Sequence, residues 1–155
     1  MEKTRLGRTG LMVTRTAFGA LPIQRTPMAQ ARVILRKAYD KGINFFDTAR
    51  GYTDSEEKMG AALADVRDKI IIATKSGAST GKELTEHLET SLANMKTDYV
   101  DILQLHNPGT IADPADPQSA YSALMKAKKA GKVRFAGISN HRIAVAKEAV
   151  PSGLF

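Results

Sequence analysis

The chain contains no cysteine among its 155 residues. This absence excludes a disulfide framework, a thiolate metal site and a thiol nucleophile. Long apolar runs are also missing, since no stretch approaches the roughly 20 residues that a membrane-spanning helix needs. The N-terminal segment Met1–Arg5 leads into polar sequence without the apolar core of a signal peptide. We therefore expect a cytoplasmic protein.

The composition is that of a folded, moderately basic domain. Hydrophobic residues make up 43% of the chain and charged residues 25%, which is typical of a globular protein rather than a disordered one. Lysine and arginine outnumber the acidic residues by 23 to 16. Such a surplus suits nucleic acid, but also a small polyanion such as a dinucleotide. Because no aromatic residues interleave the densest basic cluster, Lys126–Arg134, we expect no nucleic-acid partner and no membrane partner.

Helical and strand patterns alternate along the chain. Apolar residues at helical spacing between residues 31 and 38 predict a helix, and Gly42 follows as its C-terminal stop. Similar helices are predicted near residues 55–64, 84–95, 120–127 and 142–150. The apolar runs before and between these helices predict five strands, at Thr16–Gly19, Ile43–Phe46, Lys69–Thr74, Tyr99–Leu105 and Val133–Ile138. Strands buried on both faces and alternating with helices indicate parallel βαβ units.

Polar residues recur at the ends of these strands. Asp47, Lys75, His106 and Ser139 are separated by steps of 28, 31 and 33 residues, and about 30 residues is the size of one βα unit. A doubly wound sheet would give the same step, but polar groups at successive strand ends are typical of the catalytic face of a (β/α)₈ barrel. We therefore predict an α/β fold: a partial TIM barrel of about five βα units, preceded by a β-hairpin at Thr4–Thr14.

Four residues of the predicted rim have complementary acid–base chemistry. Tyr52 carries a phenol, and a free phenol is a weak acid near neutral pH because its pKa is about 10. The ammonium of Lys75 would favour the phenolate, and the carboxylate of Asp47 could hold that ammonium. His106 could donate a hydrogen bond to a substrate oxygen. Together these groups could protonate a carbonyl oxygen while a hydride reaches the carbon, without a metal.

Each of these residues also has a structural interpretation. Asp47 could cap the following helix, and Tyr52 could be a surface aromatic residue. Lys75 could be a solvated strand end, and His106 a loop histidine. Taken singly, these interpretations are favoured over the catalytic one. Four suitable residues at matching positions of consecutive units favour the catalytic interpretation.

The motifs around these residues resemble the successive signatures of the aldo-keto reductase family. They occur in order, over essentially the whole chain: Leu6–Leu11, Phe18–Gly19, Phe46–Ala49 with Tyr52, Ala73–Lys75, Gln104–Pro108 and Gly137–Asn140. The resemblance implies reversible hydride transfer between NADPH, or NADH, and a small aldehyde or ketone. It implies that Tyr52 is the general acid, that Asp47 and Lys75 tune it, and that His106 orients the carbonyl.

The same resemblance implies a set of cofactor contacts. Ser139 and Asn140 stand where the family binds the nicotinamide carboxamide, and Asp47 where it touches the nicotinamide ribose. Gly19 and Ala20 stand where the cofactor passes close to the backbone. No metal is implied in this chain.

The length of the chain and the residues around its motifs refine this resemblance. Leu21–Arg25 and Ala49–Glu56 resemble a bacterial branch whose longer members carry a C-terminal iron–sulfur region, although these 155 residues contain no cysteine for a cluster. A complete barrel needs about 250 residues. We therefore interpret residues 1–155 as the N-terminal part of one barrel domain whose C-terminal part is absent. We expect self-association through open sheet edges and impaired activity.

Two other functions are compatible with parts of the sequence. Ser76–Glu83 lies between a strand and a helix, where a phosphate-binding P-loop would sit. Ser76 replaces the first glycine of that motif and Glu83 replaces its magnesium-binding hydroxyl, so we expect a loop without this function. A second alternative is a non-catalytic half-barrel fragment or partner-binding module. The three histidines show no metal-ligand spacing, and we interpret His87 and His141 as structural or solvated.

Overall fold

Strands and helices alternate along the whole protein after an N-terminal hairpin. The computed structural model describes all 155 residues. None of its helices is long and apolar enough to cross a membrane. The elements are β1 (Lys3–Arg5), β2 (Met12–Thr14), β3 (Phe18–Gly19), α1 (Met28–Asp40), β4 (Phe45–Asp47), α2 (Ser55–Leu63), β5 (Ile71–Ser76), α3 (Gly81–Met95), β6 (Val100–His106), α4 (Ala120–Lys129), β7 (Val133–Ser139) and α5 (Ile143–Ser152), with short 3₁₀ segments at Gly7–Thr9, Pro22–Arg25 and Ala64–Lys69.

The main sheet has five strands in the order β3-β4-β5-β6-β7. Every neighbouring pair in it is parallel. Neighbours in the sheet are therefore also neighbours in sequence, with a helix in each connection, as in consecutive units of a (β/α)₈ barrel. The prediction of a partial barrel of about five units is confirmed. β3 and β7 form the two edges of the sheet.

The hairpin closes one end of the concave side of this sheet. β1 and β2 pair antiparallel, and the turn between them uses positive φ angles at Gly7 and Gly10, which glycine adopts at little cost. Leu11 and Val13 pack into a small apolar cluster with concave-face residues of the sheet. The side chain of Asn44 accepts a 2.7 Å hydrogen bond from the Thr14 amide. The hairpin is thereby attached to the start of β4.

The alternation of side chains along each strand separates the core from the site. Ile72 and Leu103 belong to a cluster of 22 buried residues that joins the sheet to the helices. Ala73 and Ile102, one residue away on each strand, belong to the concave cluster. Since residues i and i+2 share a face, Lys75 shares the concave face with Ala73. His106 shares it with Ile102 by the same rule.

Two of the predicted strands begin two residues later than expected, for identifiable reasons. The strand predicted from Lys69 begins only at Ile71, because residues 64–69 form a 3₁₀ segment. That segment is held by Arg67, whose guanidinium donates to the carbonyls of Ile70 and Tyr99, at 3.0 Å each. The strand predicted from Ile43 begins at Phe45. Asn44, directly before it, is instead hydrogen-bonded to Thr14 of the hairpin.

A buried ion cluster joins the other ends of the strands. Asp101 on β6 is 1% exposed and accepts a 2.8 Å hydrogen bond from Arg67 and a 2.5 Å hydrogen bond from Arg134. It also accepts a 2.9 Å hydrogen bond from the Ile72 amide on β5. These contacts join β5, β6 and β7 at the end of the sheet opposite the predicted site.

Replacing Gly60 by alanine tests the packing of α2 against α3. An added Cβ would overlap the Asn94 carbonyl oxygen and lie 2.9 Å from the backbone of Met95. We expect Gly60→Ala to lower the free energy of unfolding by about 1–3 kcal/mol, although alanine is the better helix former. Gly77→Ala is the control, because nothing lies within 4 Å of its added Cβ. Chemical denaturation measures the free energy of unfolding of the two variants. Equal stability of Gly60→Ala and Gly77→Ala would contradict this packing.

Candidate active site

Polar side chains gather where the parallel strands end. Asp47, His106 and Ser139 are the last residues of β4, β6 and β7, and Lys75 is the penultimate residue of β5. They share a cleft of about 440 Å³. The cleft is lined by Leu21, Asp47, Tyr52, Lys75, His106, Asn107, Ser139, Asn140 and His141. The residues predicted to meet at one rim therefore do meet.

The Lys75 ammonium is buried and held by two oxygens. Its Nζ lies 2.5 Å from Oδ1 of Asp47 and donates a 2.7 Å hydrogen bond to the Thr48 carbonyl. The Lys75 side chain is only 9% exposed, while that of Asp47 is 33% exposed. A buried ammonium needs such partners to remain charged. The alternatives of a solvated Lys75 and a helix-capping Asp47 are thus wrong, and Asp54 occupies the N-cap position of α2.

Tyr52 lies in the loop between β4 and α2 and faces this pair. Nζ of Lys75 is 5.2 Å from the centroid of the Tyr52 ring. The rings of Tyr52 and His106 meet edge to face, with centroids 6.3 Å apart. The loop is folded tightly, since the Tyr52 amide donates to the Ala49 carbonyl at 3.0 Å. The phenol, amine, carboxylate and imidazole thus form one cluster.

His106 is hydrogen-bonded to the next strand. Its Nδ1 lies 2.8 Å from the hydroxyl oxygen of Ser139. Burial lowers the pKa of His106 below its usual value, and the charges of Lys75 and His141 lower it further, while Asp47 opposes them. Since an unperturbed histidine is already mostly neutral at pH 7, the His106 ring is neutral there.

Ser139 and Asn140, predicted to contact a cofactor, lie beside this histidine. The Asn140 amide donates to the Pro108 carbonyl at 2.7 Å, and its Oδ1 accepts from the Arg142 amide at 2.7 Å. An asparagine amide has two donor hydrogens and two acceptor lone pairs. Asn140 therefore retains capacity for one further donated and one further accepted hydrogen bond.

Gly19 and Ala20 lie at the end of β3, next to Asp47. The Ala20 amide donates to the Asp47 carbonyl at 2.7 Å, and the Ala20 carbonyl accepts from the Ser55 hydroxyl at 3.0 Å. Both backbone groups of Ala20 are thus already paired. Gly19 is exposed, and nothing lies within 4 Å of the place where its Cβ would be. An open surface remains there next to the rim.

Three further residues line the cleft that sequence reasoning did not single out. Leu21 is half-exposed at its edge, and Asn107 adopts a positive φ of 53°, which asparagine tolerates better than most residues. His141 is exposed, as expected, but it lies in the cleft, and its charge lowers the pKa of His106 beyond the effect of burial. Their signal in the sequence is only adjacency to the strand ends. His87 is structural, with Nδ1 2.8 Å from the Ser76 hydroxyl.

The loop before α3 is not a phosphate cradle. The carboxylate of Glu83 accepts from the Ser79 amide at 2.8 Å and from its hydroxyl at 3.2 Å. Thr80 caps the helix by accepting from the Glu83 amide at 3.3 Å. The Ser79 hydrogen bonds lower the pKa of Glu83, so this carboxylate itself is the anion at the helix start. The structure therefore disfavours the P-loop alternative.

Comparison with known proteins agrees with this geometry. A model of the Aldo/keto reductase family matches residues 15–153. The chain belongs to the aldo/keto reductase family. The resemblance found in its motifs is confirmed over nearly its whole length.

This aldo/keto reductase chain spans about half the length of the relatives that it matches. The uncharacterized oxidoreductase YqkF of Bacillus subtilis is 36% identical over 164 residues, which cover 97% of this chain and 52% of the relative. The 6-dehydroglucose reductase of Novosphingobium aromaticivorans is 34% identical over an alignment that covers 87% of this chain and 50% of the length of that reductase. The solved holo form of an aldo-keto reductase from Bacillus halodurans has a TM-score of 0.87 and 34% identity, covering 97% of this chain and 54% of that one.

The titration of His106 tests the charge arrangement of the cleft. We expect its pKa, measured by NMR of the imidazole, to lie below 6.5 and to rise in Lys75→Met, because a positive neighbour is removed. Lys82→Met is the control, since that lysine is 87% exposed on α3. An unchanged His106 pKa in Lys75→Met would contradict the arrangement.

The same shift has a consequence for stability. Because the folded-state pKa is the lower one, the unfolded chain binds more protons between the two pKa values. The free energy of unfolding therefore falls as the pH drops through about 6.5 and levels off below the folded pKa. His106→Gln should remove this component from denaturation curves measured across that range.

Proposed function

We propose that residues 1–155 supply the acid–base groups of a site that reduces aldehydes and ketones to alcohols with NADPH or NADH. The observation that carries this proposal is the buried Lys75–Asp47 ion pair against the ring of Tyr52. A neutral His106 from the next strand faces the same space. We also propose that these residues are part of one barrel domain.

The donor set at the rim fits a nicotinamide dinucleotide, which supplies the hydride when bound. The Ser139 hydroxyl and the Asn140 amide, with its spare donor and acceptor, suit a carboxamide. The partly exposed carboxylate of Asp47 suits ribose hydroxyls. The open surface at Gly19 leaves room for close approach to the backbone.

Tyr52 is the proton donor in this proposal. Its phenol transfers a proton to the carbonyl oxygen of the substrate as charge develops there. The phenolate that remains is stabilised by the Lys75 ammonium. Asp47 and the Thr48 carbonyl hold that ammonium in place at the cleft.

His106 acts as a hydrogen-bond donor rather than a general acid. When the Ser139 hydroxyl donates to Nδ1, the neutral ring carries its hydrogen on Nε2. That N–H can donate to the carbonyl oxygen, which orients the substrate and polarises its C=O bond. In this arrangement Ser139 would set the tautomer of His106, in addition to its proposed cofactor contact.

Replacement of Tyr52 tests the proposed catalysis. In a preparation that turns over an aromatic aldehyde, we expect Tyr52→Phe to lower kcat by at least about a hundredfold, since it removes the proton donor. Cofactor binding, followed by fluorescence, should stay unchanged. Tyr39→Phe on α1 is the matched control, because Tyr39 packs beside Arg36 away from the cleft. Full activity of Tyr52→Phe would refute the proposal.

The activity of the 155-residue chain by itself is expected to be low. The concave face carries only a five-residue apolar cluster, and its open side lets water reach the cleft, which weakens the electrostatic interactions there. Binding of reduced cofactor without appreciable turnover agrees with this expectation. If the chain shows no cofactor binding and no turnover, the result would favour the non-catalytic half-barrel alternative.

We further propose that the chain self-associates through its sheet edges. β7 has seven residues and pairs on one side only, with β6, and such an edge favours pairing with another strand. Sedimentation velocity should show an average mass that rises with protein concentration. A constant monomer mass over the accessible range would contradict this proposal.

A further inference from the structure

A buried carboxylate lies behind the Tyr52 loop without reaching the cleft. Glu56, the second residue of α2, is 1% exposed. Its Oε1 accepts a 2.7 Å hydrogen bond from the Thr74 hydroxyl. Its Oε2 forms an ion pair with the Arg50 guanidinium. A carboxylate buried to this degree persists only when its oxygens are paired, and both of them are.

The two partners of Glu56 belong to the two segments that carry the acid–base groups. Thr74 directly precedes Lys75 on β5, and Arg50 lies two residues before Tyr52. The Arg50 amide donates to the Lys75 carbonyl at 2.9 Å. The Glu56 side chain therefore connects Arg50 of the Tyr52 loop to Thr74 of β5, and the Arg50 amide separately connects the same loop to Lys75.

Arg50 also holds the far side of the loop. Its Nη2 donates to the Thr53 carbonyl at 3.3 Å, so this one side chain joins both flanks of Tyr52. Thr53 has a positive φ of 43°, which is unfavourable for a β-branched residue and persists only where surrounding contacts impose it. Without the charge of Glu56, the loop would lose the contact that fixes Arg50.

We propose that Glu56, acting through Arg50, is a positioning residue that holds Tyr52 against Lys75 and His106. Glu56 touches neither the cleft nor any group that would contact substrate. An effect of Glu56 on catalysis rests on the proposed function. Its effect on the position of Tyr52 is independent of that function. The alternative is a purely structural ion pair, whose loss would destabilise the fold without a specific effect on the Tyr52 ring.

Asp101 provides a matched control for this distinction. It is also 1% exposed and also pairs with an arginine, Arg67. It lies at the opposite end of the same sheet. Glu56→Gln and Asp101→Asn each remove one buried negative charge while preserving side-chain shape. Both should lower the free energy of unfolding, but only Glu56→Gln should disturb the cleft.

The measurement is the NMR signature of the edge-to-face contact between Tyr52 and His106 in the 155-residue chain. The Tyr52 ring shifts the ring-proton resonances of His106, and Tyr52→Ala defines their values without it. We expect Glu56→Gln to move these resonances at least about halfway toward the Tyr52→Ala values, because the loop is released. Asp101→Asn should leave them at the wild-type position.

Two results would overturn the proposal: wild-type His106 resonances in folded Glu56→Gln, or equal displacements in the two variants. If Glu56→Gln does not fold, Arg50→Met replaces it, since the Arg50 side chain is 21% exposed and tolerates change more easily. The same displacement is expected, and its absence in folded Arg50→Met overturns the proposal.

A kinetic measurement then tests the catalytic consequence separately. In a preparation that turns over aldehyde, Glu56→Gln should lower kcat by about ten- to a hundredfold with little change in the KM for cofactor, as expected for a misplaced proton donor. Asp101→Asn should retain kcat. Should Tyr52→Phe prove fully active, the proposed function fails, but the resonance displacement still decides whether Glu56 positions the ring.

Discussion

The ion pair between Lys75 and Asp47 is the contact on which the site depends. The parallel register of β4 and β5 sets Asp47 opposite Ala73, so the side chain two residues later on β5 emerges beside the carboxylate. The Lys75 side chain is only 9% exposed, and its ammonium has a carboxylate and a carbonyl as its partners. Burial lowers the pKa of His106, and the Lys75 ammonium lowers it further. One strand register thus sets both the ion pair and one of the influences on the pKa of His106.

The sequence predicts the convergence of this site because parallel strands impose it. Side chains at the carboxyl ends of parallel neighbours must lie at the same edge of the sheet, and side chains two residues apart share a face. Asp47, Lys75 and His106 follow from these two rules alone. The spacing of about 30 residues between units fits a doubly wound sheet as well, and it was the polar residues at successive strand ends that favoured the barrel order of the five strands.

What the sequence did not predict depends on contacts between distant segments. Glu56 has the sequence appearance of an ordinary carboxylate in the first turn of a helix, where acidic residues are common. Its burial arises only because Thr74, 18 residues further on, and Arg50 close over it. The 3₁₀ segment after α2 likewise depends on the reach of Arg67 to Tyr99 and Asp101. Local periodicity contains no information on such pairings.

The distribution of apolar packing separates stability from chemistry in this fold. The large cluster of 22 residues lies between the sheet and its helices, whereas the concave cluster has five. The acid–base groups stand on the concave side, above that small cluster, so they contribute little to the main core. The loop that carries Tyr52, residues 48–54, contributes no residue to either cluster. This is the physical reason why that loop requires a buried ion pair behind it, and why Glu56 lies on the helix side of the sheet rather than in the cleft.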